Sequence, residues 1–297
     1  MEAIDQTPQG GTTPKRSFAQ LANRDTQPRA IAMRTQGRMH GPVKRLLSPN
    51  RLGSVTKPFV FLDYFDFQSI GDAMFPMHPH SGIATTTVLL EGQMRYEDTT
   101  GARGQLEAGS VEWMHAGKGI WHDGIPLRGQ RLRGYQLWLA LPQDSELAAP
   151  VSQYLTPAEV PVVNGVRVIL GAHAGQRSAV AAPDGIQYLH ASLRDGEVLT
   201  LPPPAGHTVA WLHVNTGALL TGADRVADEL VVFAEGEQSI ELMASGATDF
   251  VIGTARKHLD PLVLGTYSVH TTRAALLRGE QEIARLGEQL RASGRAV

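Results

Sequence analysis

Between residues 40 and 270 the chain is written in short apolar runs, each cut off by Gly, Pro, Asp or Asn, and that interruption limits what it can fold into. TTTVLL (85–90) is β-branched, Glu91-Gly92 turns the chain into QMRYED (93–98), TTGA (99–102) turns it again, RGQLE follows, and AGS leads into VEWMH (111–115). RLRGYQLWLALP (131–142) ends on a proline, which has no N–H to continue a ladder. Strands spaced at about ten residues with no helix between them predict an all-β antiparallel sandwich or barrel.

The pattern recurs. TVAWLHVNTG (208–217) echoes IATTTVLLEG (83–92), and ELVVFAEGEQSIELM (229–243) echoes RGQLEAGSVEWM (103–114). Gly92 and Gly109 lie seventeen positions apart, Gly217 and Gly236 nineteen. A length of 297 residues suits one large or two medium domains, and the echo favours two related β-barrels in tandem. The expected division is an N-terminal barrel over 31–150 and a second over 151–270, joined through the polar, proline-marked PQDSELAAPVSQYLTPAEVP (142–161). Ahead of them, residues 1–30 are rich in Gly, Pro, Thr and Gln and read as a flexible tail. Behind them, 271–297 carries a helix. TTRAALLRGEQEIARLGEQLRAS (271–293) opens with threonine, a helix N-cap, and sets Leu276, Ile283, Leu286 and Leu290 on one side. Gly279 and Gly287 weaken it.

The absence of cysteine excludes disulfides, thiolate ligands, iron–sulfur clusters and a cysteine nucleophile. Any metal must therefore be held by nitrogen and oxygen. A net charge of −2 and a pI near 6.6 give no overall field to attract nucleic acid or anionic lipid. No apolar run approaches the ~20 residues of a membrane helix, and the amino terminus lacks a secretory apolar stretch, so a cytoplasmic location is expected. There is no Gly-x-Ser-x-Gly elbow, Walker loop or dinucleotide fingerprint. Gly117-Lys118-Gly119 precedes an apolar strand rather than a helix and reads as a turn that positions His122.

Of eleven histidines, His78 and His80 in HPHSGIATTTVLLEGQM (78–94) stand out, because alternate residues of a strand share a face. Two imidazoles do not complete a metal site. His122, in AGKGIWHDG, is the natural third. Imidazole suits Fe, Cu, Zn and Ni. Taken alone, a His-x-His pair is as readily a surface or core pair, and it is the barrel setting and His122 that favour a metal. In the second half His190, His207 and His213 lack His-x-His spacing, and no metal is expected there. Phe75, Met77, Trp113, Met114 and Trp121 either line a pocket for a flat aromatic ligand or are plain barrel core.

HPHSGIATTTVLLEGQM followed by EAGSVEWMHAGKGIWH resembles the pirin family of the cupin superfamily. That family shows His-Pro-His-Arg-Gly, a strand ending in Glu-Gly, then Gln-Trp-Met-x-Ala-Gly-Arg-Gly-Ile-x-His. LRGYQLWLALP (132–142) is similar to its next strand and KPFVFLDYFDF (57–67) to its Phe-Leu-x-x-Asp-x-Phe stretch, so the likeness covers most of 40–142 in order. The second half matches mainly in architecture. The resemblance implies two cupin barrels, of which the first holds a metal, usually iron, by the His pair, the later His and a glutamate two residues beyond it. The first three carry over onto His78, His80 and His122. The fourth does not, because Gly124 stands at the carboxylate position.

Position i+2 of a strand shares a face with His122, whereas Asp123 points the other way unless a bulge re-aims it. Three neutral imidazoles leave a divalent ion's charge uncompensated, so such a site binds iron less firmly, opens a position for water or an anion and acidifies bound water. Three accounts of Gly124 stay open: three histidines plus solvent, a fourth ligand from His115 or Asp123, or loss of the metal. For function the resemblance implies a dioxygenase of quercetin 2,3-dioxygenase type, opening a flavonol ring with O₂. Fe(II) is the expected metal, Zn, Ni, Cu or Mn the alternatives, and turnover should be weak or altered without the carboxylate. The rival readings are a metal- or redox-responsive regulator acting through a protein partner, with no direct nucleic-acid contact, and a metal-free bicupin binding a small molecule.

Overall fold

The computed structural model describes residues 28–71 and 75–295. All but the last three residues of the expected N-terminal tail lie outside them. The chain forms two β-barrels of cupin type and one C-terminal helix, Arg273–Ala292. Among the described residues no helix is long and apolar enough to cross a membrane.

The first barrel is built from two antiparallel sheets. Seven strands run in the order Val151–Leu155, Val111–His115, Ile83–Glu91, Arg131–Ala140, Phe59–Gln68, Val43–Leu47 and Arg38–His40. Four form the facing sheet, in the order Phe75–His80, Ile120–Pro126, Gln93–Asp98 and Arg103–Glu107. Alternation decides what faces the interior: along Ile120–Pro126 every second residue, His122 and Gly124 among them, is buried. Phe65, Leu89, Met94, Leu106 and Leu132 close one end of this interior.

The second barrel is a nine-stranded sheet whose long strands, Val209–Thr221 and Ile240–Ala255, pair with each other and each with two further strands. Their pairing breaks register on either side of Thr216, the kind of irregularity that lets a strand bend. Its own core is mostly aliphatic, with Val168, Leu189, Leu212 and Ile252 packed around Phe233 and Phe250. The two barrels meet through a shared core rather than across a wet seam. Phe59 of the first meets Trp211 of the second edge to face at 5.5 Å, and the buried Tyr135 hydroxyl lies 2.7 Å from His213 Nδ1.

Two segments of the described residues cross between the barrels. Strand Ile31–Thr35 pairs with Leu230–Phe233 in the second sheet. After the second barrel, the segment 263–270 returns to the first, where Ser81 bridges Ser268. The Ser81 hydroxyl lies 3.0 Å from His270 Nε2, and His270 Nδ1 lies 3.0 Å from Glu146 Oε2, which also accepts from the Thr271 N–H at 2.7 Å. This buried chain of contacts ties the return segment to the linker.

The helix is capped by Thr272, which accepts from Ala275 N, and Trp121 Nε1 donates to the Ile283 carbonyl at 2.7 Å. The two helix glycines are contact points. A Cβ on Gly279 would lie 2.4 Å from Ser81 Oγ and 2.5 Å from His270 Nε2, and one on Gly287 would meet Trp121 at 2.8 Å. Gly279→Ala should therefore lower stability by about 1–3 kcal/mol through overpacking, although alanine is the better helix former by about 1 kcal/mol. Chemical denaturation of the two proteins measures it, and an unchanged or raised midpoint would refute the close docking.

Burial holds His213 neutral, its pKa pushed down to about 3. An unfolded histidine titrates near 6.5, so between these values the unfolded chain takes up a proton that the folded one refuses. Stability supplied by this residue is full at neutral pH and is lost as pH falls below about 6.5. His213→Gln should flatten the acid side of the stability profile by at most about 1.4 kcal/mol per pH unit, read from denaturant midpoints at several pH values.

Candidate metal centre

His78 and His80 lie on the strand Phe75–His80, and His122 lies opposite on Ile120–Pro126, where its Cα pairs with that of His78. One nitrogen from each ring fits within a circle of contacts no wider than 4.8 Å. The ring centroids are 4.4 Å apart for His78 and His122, 4.8 Å for His78 and His80, and 5.2 Å for His80 and His122. His80 is 1% exposed and His122 4%.

The outer nitrogens show which face of each ring is free. His78 Nδ1 donates to the Pro76 carbonyl at 2.7 Å and His80 Nδ1 to the Tyr267 carbonyl at 3.1 Å, since a carbonyl can only accept. His122 Nδ1 faces Glu112 Oε1 at 3.5 Å. With a proton on Nδ1, each neutral ring keeps a lone pair on Nε2. The Nε2 atoms of His78 and His122 then face each other at 3.1 Å, and His80 Nε2 is buried without a partner. Lone pairs aimed at one another repel unless a cation lies between them. Two metal–imidazole bonds of about 2.1 Å at a right angle end about 3.0 Å apart, so the donor set fits a divalent ion.

The electrostatics agree. Burial, and then the facing His122 ring, push His78 down to about 4, and burial pushes His80 well below the ordinary imidazole value. Both are neutral at physiological pH, the form a metal requires. Burial alone would raise the Glu112 carboxyl, but its contacts with His122 and the Thr87 hydroxyl outweigh that and hold it below the usual range.

The alternatives for a fourth ligand point elsewhere. His115 Nε2 donates to the Ser145 carbonyl at 3.2 Å. Asp123 Oδ1 accepts from the Glu97 N–H at 3.1 Å. A bulge is present beside the site, but its extra residue lies in Phe75–His80, so Ile120–Pro126 keeps its alternation and Asp123 is not turned inward. The space in front of Gly124 is filled: a Cβ there would lie 2.2 Å from the terminal methyl of Met94.

In the second barrel the histidines are dispersed. His190 Nε2 meets Asp249 at 2.9 Å, His207 meets Thr254 at 2.9 Å, and His213 meets Tyr135. Of the residues considered for an aromatic pocket, Phe75 lines the site, whereas Trp113 and Met114 are fully buried core and Trp121 docks the helix.

Above the histidines opens a cleft of ≈ 500 Å³, with Phe61, Phe75, Trp138 and Tyr267 among its walls. Phe61 and Trp138 stack at 4.1 Å and 15°, and the Arg45 guanidinium, doubly bonded to Asp63, covers Phe61 at 4.3 Å. Below lies a small inner cavity bordered by Thr87, Met94, Glu112 and Gly124. Gln136 borders both, and its amide N–H₂ has no partner.

Glu112, Tyr267 and the Phe61–Trp138 wall are not singled out by spacing along the chain. One signal for Glu112 exists, since it stands where the resembled segment has glutamine, and a chain without a carboxylate at 124 carries one at 112.

A family model described as Pirin matches residues 42–139. A Pseudomonas aeruginosa protein named provisionally as a quercetin 2,3-dioxygenase is 37% identical over 69% of this chain and 78% of its own. A pirin-like protein of Caulobacter vibrioides is 31% identical over 66% of this chain and 73% of its own. The solved structure of a quercetin 2,3-dioxygenase from Acinetobacter baumannii superposes with a TM-score of 0.79 at 25% identity, over 87% of this chain and 97% of that one.

Gly124→Glu should be destabilising by about 1–3 kcal/mol because the new side chain displaces the Met94 methyl. Met94→Ala, which leaves a void, should cost about 2–5 kcal/mol. Together they should cost less than the sum by about 1 kcal/mol or more, a coupling that a double-mutant cycle of unfolding free energies measures. Strict additivity would contradict the shared space.

Proposed function

The chain belongs to the pirin family, and from that premise we propose that His78, His80 and His122 bind a divalent metal, Fe(II), for oxygen-dependent ring opening of a flavonol-like substrate. The observation that supports the reading is one ring nitrogen from each of His78, His80 and His122 lying within 4.8 Å of the others, with His78 and His80 bordering an aromatic-walled cleft. Bound there, the metal supplies a Lewis acid and an electron relay between substrate and O₂.

The protein's own groups do the rest. The cleft has the volume of a small-molecule site, and its stacked Phe61 and Trp138 suit a planar ring. The free Gln136 amide can donate to a substrate oxygen as it enters, with no existing bond to give up. Without a carboxylate at position 124 no ligating base stands beside the metal, so turnover should be slow.

Protein purified without a histidine tag should carry close to one divalent ion per chain by elemental analysis. His80→Ala should reduce that to background. With Fe(II) loaded, oxygen uptake in the presence of a flavonol panel should disappear on chelation and in His80→Ala, and persist in His115→Ala. Uptake that is equal with and without metal would end this reading.

A further inference from the structure

We propose that Glu112 is the positioning residue of this centre: its carboxylate fixes the His122 ring through Nδ1 and places one negative charge beside the metal. The inference rests on the three-histidine reading and adds the group that tunes it. Three observations carry it.

The first is where the carboxylate is held. Glu112 is 4% exposed, and its oxygens meet the Thr87 hydroxyl and His122 Nδ1, with no lysine or arginine among their partners. The His122 ring thus stands between this buried acid and the candidate metal position. The neighbouring buried carboxylate, Asp98, is committed elsewhere. Its oxygens accept from Thr100 N at 2.7 Å, Thr100 Oγ1 at 2.5 Å and Tyr154 Oη at 2.8 Å.

The second is the pattern of outer contacts. Two of the three rings are held at Nδ1 by neutral backbone carbonyls, and only His122 faces a charged acceptor. An acceptor at one ring nitrogen fixes the tautomer and raises the basicity of the other. At 3.5 Å the contact is longer than a full hydrogen bond, and it is the sole protein contact of that nitrogen.

The third is location. Glu112 reaches the site from Val111–His115, in the sheet opposite His122, across the inner cavity that Gly124 and Met94 also border. The negative charge is therefore supplied one ring away from the metal instead of on it. The histidine set keeps its open positions while the site's total charge is still reduced by one.

The test uses the full-length, metal-free protein titrated with Co(II) against a chromophoric chelator. Glu112→Gln keeps the shape of the side chain and removes its charge. We expect the Co(II) dissociation constant to rise about 10–100-fold and the visible Co(II) band to shift, with His115→Ala unchanged. The melting temperature of the metal-free Gln variant should not fall, which separates positioning from simple structural support. In metal-free wild type, ¹⁵N shifts should show the His122 proton on Nδ1.

A Co(II) constant within twofold of wild type in Glu112→Gln overturns the proposal while leaving the metal site intact. A His122 proton on Nε2 overturns it without any variant. Failure of the wild type to bind Co(II) removes the three-histidine reading and this inference with it.

Discussion

Three imidazoles can point the same kind of atom at one spot only if something restrains the other side of every ring. That restraint is what the first barrel is arranged around. Pro76 provides it from the histidine strand itself, Tyr267 from the return segment beyond the second barrel, and Glu112 from the facing sheet. Remove the restraint and a neutral imidazole is free to carry its proton on either nitrogen, so the inward lone pair is no longer guaranteed. The cleft and the inner cavity border this arrangement, and the clasp of Ser81, His270 and Glu146 holds the return segment against it.

Much of this was legible in the residue order, and the reason is periodicity. The two-residue repeat of a strand is enough to put His78 and His80 on one face and to set His122 and Gly124 together against Asp123. The short interrupted runs gave the barrels, and the threonine before Arg273 gave the start of the helix. What stayed hidden depends on which strands cross in space. Tyr267 is 187 positions from His80, and no local pattern connects them. Of the apolar residues near the histidines in sequence, Phe75 borders the cleft but Trp113 and Met114 are core, while Phe61 and Trp138, from two neighbouring strands, stack in its wall. The helix glycines read as weaknesses when only propensity is counted. In three dimensions their missing side chains make room for Ser81 and Trp121.

Gly124 illustrates how a vacancy in a motif can be filled twice over. Its space is taken by the Met94 methyl, and a carboxylate appears on another strand of the same interior. Volume and charge are separate requirements of a closed site, and here they are met by different residues. A motif read one position at a time registers only the loss.

The exchange of segments between the barrels has a consequence for how the molecule comes apart. The first barrel's histidine cleft is walled by residues 264–269, and the second barrel's sheet is edged by residues 31–35. Each barrel thus borrows a finishing piece from a segment adjoining the other barrel in sequence, and the two barrels share a common core. A cut at the midpoint would strand both pieces on the wrong fragment. The protein should melt as one cooperative unit, so that the second barrel shares the fate of the barrel that carries the histidine cluster.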